Sequence, residues 1–400
     1  MIPTGEGRLT ALDVLRGLAV AGMILVVSPG DWGMAWTWLQ HAEWDGWHLA
    51  DMVFPTFLFS VGVAIALSFP RDFDAEARRT FWLRVGRRVL LLIALGLALE
   101  ATYNLTLALG GGGPCQADLG HLRLPGVLQR IALCYGIAVL AVVATGRMFT
   151  GRLSLRPGAV GCVIAAVLVV YWLLLTFVPV PGYGPGRLDP EGNLGAVIDR
   201  ALFTPAHLWP LGWVSWGEPV VYDPEGLLST LPAATNVLFG VLAGHVCRTR
   251  PTRAVLILAA AGLTLFLAGV ALDPVFVVNK RIWTSSFALL SAGFSSMVLA
   301  ALIALPRQRI IDVALTPFRV LGGNAILAFV VSTLLGRLYG LGFLPVAEAA
   351  ERTPQGWLNG RMLDLLVEPH WASFACAVLM VTVVTLILTP LHRRAIHFRL

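Results

Sequence analysis

The sequence predicts an all-α, polytopic membrane protein, both from its composition and from the length of its apolar runs. Of the 400 residues, 57% are hydrophobic and 13% are charged, and the mean hydropathy is +0.77. A soluble domain carries roughly 25% charged and about 45–50% apolar residues. One soluble core cannot bury this much apolar surface, so we expect the chain to be embedded in a bilayer.

Ten apolar runs approach the length of about 20 residues that a helix needs to cross a bilayer. The first five are Leu12–Val27, Ala50–Phe69, Val89–Leu109, Val127–Thr145 and Ala159–Val180. The second five are Leu228–Cys247, Ala254–Leu272, Trp283–Leu305, Phe318–Tyr339 and Trp371–Leu391. Barrel strands alternate in polarity and these runs do not, so they indicate helices. We expect one transmembrane domain over residues 1–400.

Arginines set the predicted orientation. Cytoplasmic loops carry an excess of basic residues, and most arginines cluster in the short connections, including the stretch from Arg71 to Arg88. This places both termini in the cytoplasm and leaves three long extracytoplasmic loops, residues 28–49, 181–226 and 340–370. The formal charge of +6 therefore needs no nucleic-acid partner. The five cysteines form no CxxC pair, and we expect neither a disulfide framework nor a metal site.

The first outer loop concentrates groups that can carry chemistry. His41 can exchange a proton near neutral pH, and Asp51 follows at the start of the second span. Glu43 and Asp45 could hold a cationic amine, with Trp44 offering an aromatic face to an amine or a sugar. The same composition also suits an interfacial aromatic belt, and the sequence alone leaves both interpretations open.

Charges at membrane depth form a second group, because they are costly there and usually pair or line a pathway. Glu100 lies within the third span and Arg130 one turn into the fourth, so a Glu100–Arg130 pair is one expectation. Asp223 and Glu225 precede the sixth span, where the dipole of a helix N-terminus favours acids. Arg88, within the basic cluster before the third span, could bind anionic lipid or the phosphates of a cofactor.

Seven motifs, taken together and in order, resemble heparan-α-glucosaminide N-acetyltransferase and its bacterial relatives. They are Leu12–Ala19, His41-Ala42-x-Trp44-x-Gly46, Asp51-x-Val53-Phe54-Pro55, Arg123-x-Pro125-Gly126-Val127-Leu128-Gln129-Arg130, Asp223-Pro224-Glu225-Gly226, Asn279-Lys280-x-x-Trp283-Thr284-Ser285 and Pro317-Phe318-x-x-x-Gly322-x-Asn324. The resemblance implies a transmembrane acyltransferase of the bacterial inner membrane. It would move acetyl from cytoplasmic acetyl-CoA to an amino sugar on the far side.

The resemblance also implies site residues. The family's catalytic histidine falls on His41, with Asp51 as its catalytic partner. The acceptor side would comprise Glu43, Trp44, Asp45, Asp223 and Glu225. The acetyl-CoA side would comprise Arg88, Gln129, Arg130, Asn279, Lys280, Trp283, Ser285 and Asn324. The relatives further suggest a homodimer. The sequence departs from them at Val27, where they carry an asparagine that is thought to help catalysis.

Several alternatives stay open at the level of sequence. His41 could act as a general base or as a covalent acyl carrier. The same outer mouth would suit a transporter of amino sugars or glycan fragments. It would equally suit an O-acetyltransferase of a periplasmic glycan, for which the acidic cluster would matter less.

Overall fold

The computed structural model describes residues 10–69, 73–109, 119–149, 151–214, 219–306, 308–342 and 352–398. The helices in the first half are α1 (Thr10–Val27), α2 (Val53–Ser68), α3 (Ala75–Leu109), α4 (Val127–Thr145), α5 (Pro157–Phe177) and α6 (Leu194–Phe203). Those in the second half are α7 (Thr230–Thr249), α8 (Ala254–Leu272), α9 (Ser285–Ala304), α10 (Arg309–Ala314), α11 (Thr316–Gly323), α12 (Ala325–Tyr339), α13 (Pro354–Leu366) and α14 (Pro369–Arg393). One short hairpin, β1 (Arg147–Phe149) with β2 (Arg152–Ser154), follows α4.

The predicted fold class is confirmed: the chain is an all-α, multi-pass membrane protein. Among the described residues, eight helices are long and apolar enough to span a bilayer, and the bent pair α11–α12 makes a ninth if it counts as one span. The predicted third span, Val89–Leu109, falls on α3, whose last residues lie outside the described side chains, so the count of ten stays a prediction.

Three helix pairs form the tightest contacts, and glycines allow them. A Cβ on Gly240 of α7 would lie 1.9 Å from the carbonyl oxygen of Phe59 on α2, and one on Gly322 of α11 would lie 1.8 Å from the carbonyl oxygen of Asp13 on α1. In the third pair, α8–α9, a Cβ on Gly293 would lie 2.4 Å from the amide nitrogen of Phe266. Such close backbone approach is typical of helix packing in membranes.

The outer loops contain structure that the apolar runs did not predict. The 181–226 loop carries α6, capped by the Asn193 side chain, which accepts a hydrogen bond from the Ala196 N–H at 2.8 Å. The 340–370 loop carries α13. The 28–49 loop ends in a single 3₁₀ turn, Leu49–Met52, that leads into α2. Across the fold, the Gly46 N–H donates to the Val278 carbonyl at 2.8 Å and ties this first loop to the turn before α9.

Candidate functional site

The first outer loop returns to the start of α2 so that His41 meets Asp51. His41 Nδ1 lies 2.8 Å from Asp51 Oδ1. The other carboxylate oxygen, Oδ2, accepts the backbone N–H groups of Ala42 at 3.1 Å and His48 at 2.8 Å. Asp51 is fully buried, so these hydrogen bonds satisfy a carboxylate that water does not reach. They also fix which oxygen faces the imidazole.

Lys280, the chain's single lysine, completes this cluster from the turn before α9. Its Nζ lies 2.9 Å from Nδ1 and 3.2 Å from Nε2 of His41, and 3.3 Å from Asp51 Oδ1. Burial and the Lys280 charge lower the pKa of His41 below its ordinary value, against the raising effect of Asp51. The imidazole is therefore neutral at neutral pH. Burial likewise lowers the pKa of Lys280 to about 8.

The turn that carries Lys280 is held by its own hydrogen bonds. The Asn279 N–H donates to Thr284 Oγ1 at 3.0 Å, and Asn279 Oδ1 accepts the Ile282 N–H at 3.1 Å. Asn279 Nδ2 also donates to Asp45 Oδ1 in the first loop at 3.2 Å. Trp283 adopts φ +52°, a left-handed conformation that costs a non-glycine residue about 1–3 kcal/mol.

Burial and contacts of the Trp283 ring hold that conformation in place. The side chain is fully buried, its Nε1–H donates to Asn236 Oδ1 at 3.1 Å, and its ring meets Phe54 and Phe287 edge-on. The Arg130 guanidinium lies over the same ring, 5.3 Å from its centroid. The predicted residues Asn279 and Trp283 therefore position the Lys280 turn.

Arg123 organises a second buried cluster next to the first. Its Nε and Nη2 form a bidentate ion pair with Asp223, at 2.8 and 2.6 Å, and Nη2 also donates to Glu225 Oε2 at 2.5 Å. Glu100 lies 4.0 Å from Arg123 Nη1. The expected Glu100–Arg130 pair is therefore wrong: the arginine beside Glu100 is Arg123, in the segment that precedes α4.

One cavity joins the two clusters. It is a half-open pocket with about 620 Å³ of empty space, part of it continuous with solvent, and His41, Lys280 and Glu225 provide its charged or titratable lining. The walls are mostly apolar, from the outer ends of α1, α2 and α4 and from α12, with Ser332 and Thr333 as hydroxyls. Val27, which stands where the resembled family has asparagine, lies in this wall. The neighbouring Ser28 hydroxyl is buried and has no hydrogen-bond partner among the described residues.

Three other predicted residues lie outside the described lining of this cavity and form hydrogen bonds within the fold. Arg130 is buried; its Nη2 donates to the Gly226 carbonyl at 3.0 Å and contacts the Ser229 hydroxyl, while its Nε and Nη1 have no hydrogen-bond partner in the described part of the chain. Gln129 Nε2 donates to the Leu124 carbonyl at 3.1 Å, and Ser285 Oγ to the Leu168 carbonyl at 2.7 Å.

Two residues expected on the acetyl-CoA side lie elsewhere. Asn324 sits at the 92° break between α11 and α12, where its amide donates to the Ile396 carbonyl and accepts the Phe398 N–H, at 3.0 and 2.8 Å. It ties down the C-terminal segment and does not line the cavity. Arg88 lies on α3 with its guanidinium 4.6 Å from the centroid of the Tyr135 ring.

The remaining predicted acceptor residues line the outer rim of the first loop. Trp44 Nε1–H donates to the Leu188 carbonyl at 2.9 Å, and its ring meets Tyr222 edge-on, so the aromatic side chain joins the first two long loops. Glu43 and Asp45 are exposed. The acidic groups of the loop therefore face outward, whereas Glu225 faces the cavity.

Sequence reasoning missed Arg123 and Asn236 as site residues. Arg123 begins one of the seven motifs, but an arginine in a loop does not by itself indicate a pair with two acids 100 and 102 residues away. Asn236 sits in the apolar run of α7. A buried amide in such a run signals an interhelical hydrogen bond, and here it supports Trp283.

Comparison with known proteins finds two similar curated sequences. Human heparan-α-glucosaminide N-acetyltransferase is 31% identical over 363 residues, which cover 81% of this chain and 52% of the human protein. The mouse protein of the same name is 30% identical over 367 residues, covering 82% of this chain and 53% of its own length. The chain thus spans about half the length of the relatives it matches. No protein-family model matches it.

Proposed function

We propose that this chain, a distant homologue of the heparan-α-glucosaminide N-acetyltransferases, is a membrane-bound acetyltransferase that uses acetyl-CoA. The acceptor we propose is the amine of a glucosamine-type sugar on the extracytoplasmic side. The observation that supports this most is the Asp51–His41 pair at a cavity that also exposes Glu225. Location in a bacterial inner membrane and assembly as a homodimer are further parts of this proposal.

In the proposed reaction His41 is the general base. An ammonium is not nucleophilic, so the acceptor must first become a neutral amine, and its nitrogen must lose a further proton as it attacks the thioester carbonyl. Asp51 accepts the Nδ1–H of neutral His41, which leaves Nε2 with a free lone pair to take that proton. The lowered pKa of His41 keeps the imidazole neutral at the working pH. Asp51 then stabilises the imidazolium that forms.

Glu225 is the carboxylate best placed to receive a cationic amine. It lines the cavity with His41, and Arg123 holds its pKa below the ordinary value even though burial raises it. Asp223, by contrast, is fully buried and taken up by the two-pronged Arg123 pair. We therefore assign acceptor binding to Glu225, with Glu43, Trp44 and Asp45 at the rim, and give Asp223 a positioning role.

For acetyl-CoA, Arg130 is the proposed donor to the developing oxyanion, because its buried Nε and Nη1 have no hydrogen-bond partner among the described residues. It lies outside the described cavity lining, so this role requires the acetyl group to reach beyond that lining. Arg88 remains the proposed contact for the phosphates. An acetyl-His41 intermediate is the alternative course of the same transfer, and either course needs His41 in the same place.

The test is acetyl transfer by purified protein in nanodiscs, with labelled acetyl-CoA and glucosamine or chitosan oligomers. We expect His41→Ala to abolish transfer. His370→Ala should leave it unchanged, because this outer histidine contacts the Met34 carbonyl and the Trp36 ring and lies outside the described lining of the His41 cavity. Label trapped on the wild-type protein without acceptor, and absent from His41→Ala, would select the acyl-carrier course. Uptake of glucosamine into proteoliposomes without acetylation would refute the proposal in favour of transport.

A further inference from the structure

Lys280 contacts both nitrogens of the proposed base, which a simple ion pair would not require. Its Nζ is nearly equidistant from His41 Nδ1 and Nε2, at 2.9 and 3.2 Å, and somewhat farther from Asp51 Oδ1, at 3.3 Å. Its side chain is only 15% exposed. At these two distances Nζ lies over the face of the ring, so the ammonium is held beside the imidazole while the in-plane lone pair of Nε2 stays open.

The backbone fixes this contact at both ends. The Gly46 N–H bonds to the Val278 carbonyl two residues before Lys280, and the Asn279 side chain bonds to Asp45 four residues after His41. Trp283, held in its left-handed conformation, closes the turn on the other side. A lysine on a rigid turn at a cavity wall is placed for chemistry rather than for solvation.

We propose, as an extension of the proposed acetyl transfer, that Lys280 is the general acid that protonates the departing thiolate of acetyl-CoA. The acceptor reacts as the neutral amine, once the bound ammonium has released its first proton to solvent. Its nitrogen attacks the thioester carbon, forming the C–N bond, and His41 takes the second proton from that nitrogen. As the carbonyl re-forms and the C–S bond breaks, the electron pair leaves on sulfur and Lys280 donates one N–H proton to it. The imidazolium then releases its proton to water in the open cavity, and the neutral Lys280 amine takes up one proton from that water. One amine and one thioester become one amide and one thiol, and both side chains return to their starting states.

The electrostatics of the cluster suit this role. Burial lowers the pKa of Lys280 to about 8, with Arg281 lowering it further and Asp51 and Glu225 raising it; His41 is the remaining titratable group in contact with it. An alkyl thiol titrates near 8.5, so proton transfer from Lys280 to the thiolate is nearly balanced, which is the condition for efficient acid catalysis. At pH 7 most of the lysine is still protonated.

The role predicts a dependence on the leaving group. Lys280→Arg keeps the positive charge, but its guanidinium cannot give up a proton in this pH range. With acetyl-CoA we expect this variant to lose about 10²–10³-fold in kcat, the usual contribution of a general acid. With an acetyl thioester of a nitro-substituted aromatic thiol, whose thiolate leaves without protonation, we expect wild type and variant to differ by less than about fivefold. Lys280→Met, neutral and similar in length, provides the second variant.

The wild-type protein gives an independent reading that requires no substitution. Its kcat with acetyl-CoA should fall as the pH rises through about 8, and the fall should be absent with the aromatic thioester. Equal losses for both donors, or full activity of Lys280→Arg with acetyl-CoA, would overturn the general-acid role and leave Lys280 as a positioning charge. Wild-type protein that transfers acetyl from neither donor would instead refute the proposed function, and this role with it.

Discussion

Replacing Asp51 by Asn tests the proposed catalytic geometry with the smallest change in shape. Asp51 Oδ2 accepts two backbone N–H groups, from Ala42 and His48. The asparagine oxygen must stay on that side, because an NH₂ group there would face two donors. Its NH₂ group then points at His41 Nδ1, which has to become an acceptor. The imidazole proton moves to Nε2, and the proposed base loses its free lone pair.

The size of the effect follows from that tautomer change. An aspartate-to-asparagine substitution that leaves the histidine in the wrong tautomer lowers kcat by about 10⁴ in a serine protease triad. At about 1.36 kcal/mol per decade this corresponds to roughly 5 kcal/mol of transition-state stabilisation. We expect Asp51→Asn to lose about 10³–10⁴-fold in acetyl transfer. Both backbone hydrogen bonds persist, so the fold should survive.

The assay is the initial rate of transfer from labelled acetyl-CoA, with apparent Tm in detergent as the check on folding. Asp31→Asn is the matched control: Asp31 is exposed, lies in the same loop, and its Oδ1 accepts the Gly33 N–H at 2.8 Å, a bond that an asparagine oxygen can keep. We expect that variant to stay within about threefold of wild type. An Asp51→Asn protein that folds and keeps more than a tenth of the wild-type rate would refute the tautomer argument, and with it the role of His41 as a base.

The other predictions concern stability, measured as apparent Tm in detergent. Arg123→Met should destabilise the fold by about 3–5 kcal/mol, because it leaves the carboxylates of Asp223 and Glu225 without their arginine partner. The control Arg361→Met breaks an exposed pair with Asp364 and should cost less than about 1 kcal/mol. Equal losses of stability for the two variants would contradict the burial of the Arg123 cluster. Gly240→Ala should prevent folding because the added methyl group would collide with the Phe59 carbonyl. The control Gly161→Ala places its methyl group in open space and should be neutral or stabilising by about 0.5–1 kcal/mol. A Gly240→Ala protein that folds would contradict the α2–α7 packing. Asp199 is buried and its pKa is raised to about 7, so its carboxyl stays protonated in the fold while the unfolded chain ionises it from about pH 4. The stability of wild type relative to Asp199→Asn should therefore fall from pH 4 to 7 and level off above; parallel curves would show that the carboxyl is solvated.

The spans could be predicted because apolar length is itself the physical requirement for crossing a bilayer. The span predicted on α3 stays a prediction, because that long helix continues from an arginine-rich half into an apolar one whose last residues lie outside the described side chains. The amphipathic helices α6 and α13 were missed for the converse reason. They are short and contain no apolar run long enough to cross a bilayer, and α13 packs against α14 and α12.

The candidate site divides in the same way. His41 and Asp51 are ten residues apart, so a local motif could suggest their pairing. The contact between His41 and Lys280 spans 239 residues and depends on how α9 docks beside the first loop. The partner of Glu100 was misassigned for a similar reason: Arg123 and Arg130 lie in one motif, and only the tertiary fold decides which of them faces α3.

The Arg123 cluster and the His41 cluster differ in how firmly their protons are held, and this difference places the proton transfer in the His41 cluster. Arg123 uses both prongs on Asp223 and shares Nη2 with Glu225, so its protons are held by two carboxylates. The His41 cluster pairs one ammonium with one carboxylate and leaves an imidazole between them that can lose or gain a proton at little cost. Since Glu225 belongs to the Arg123 cluster and faces the cavity beside His41, a cationic acceptor bound there would meet a fixed negative charge on one side and a mobile proton on the other. Binding and proton transfer can then be altered separately, by changes at Arg123 and at Lys280.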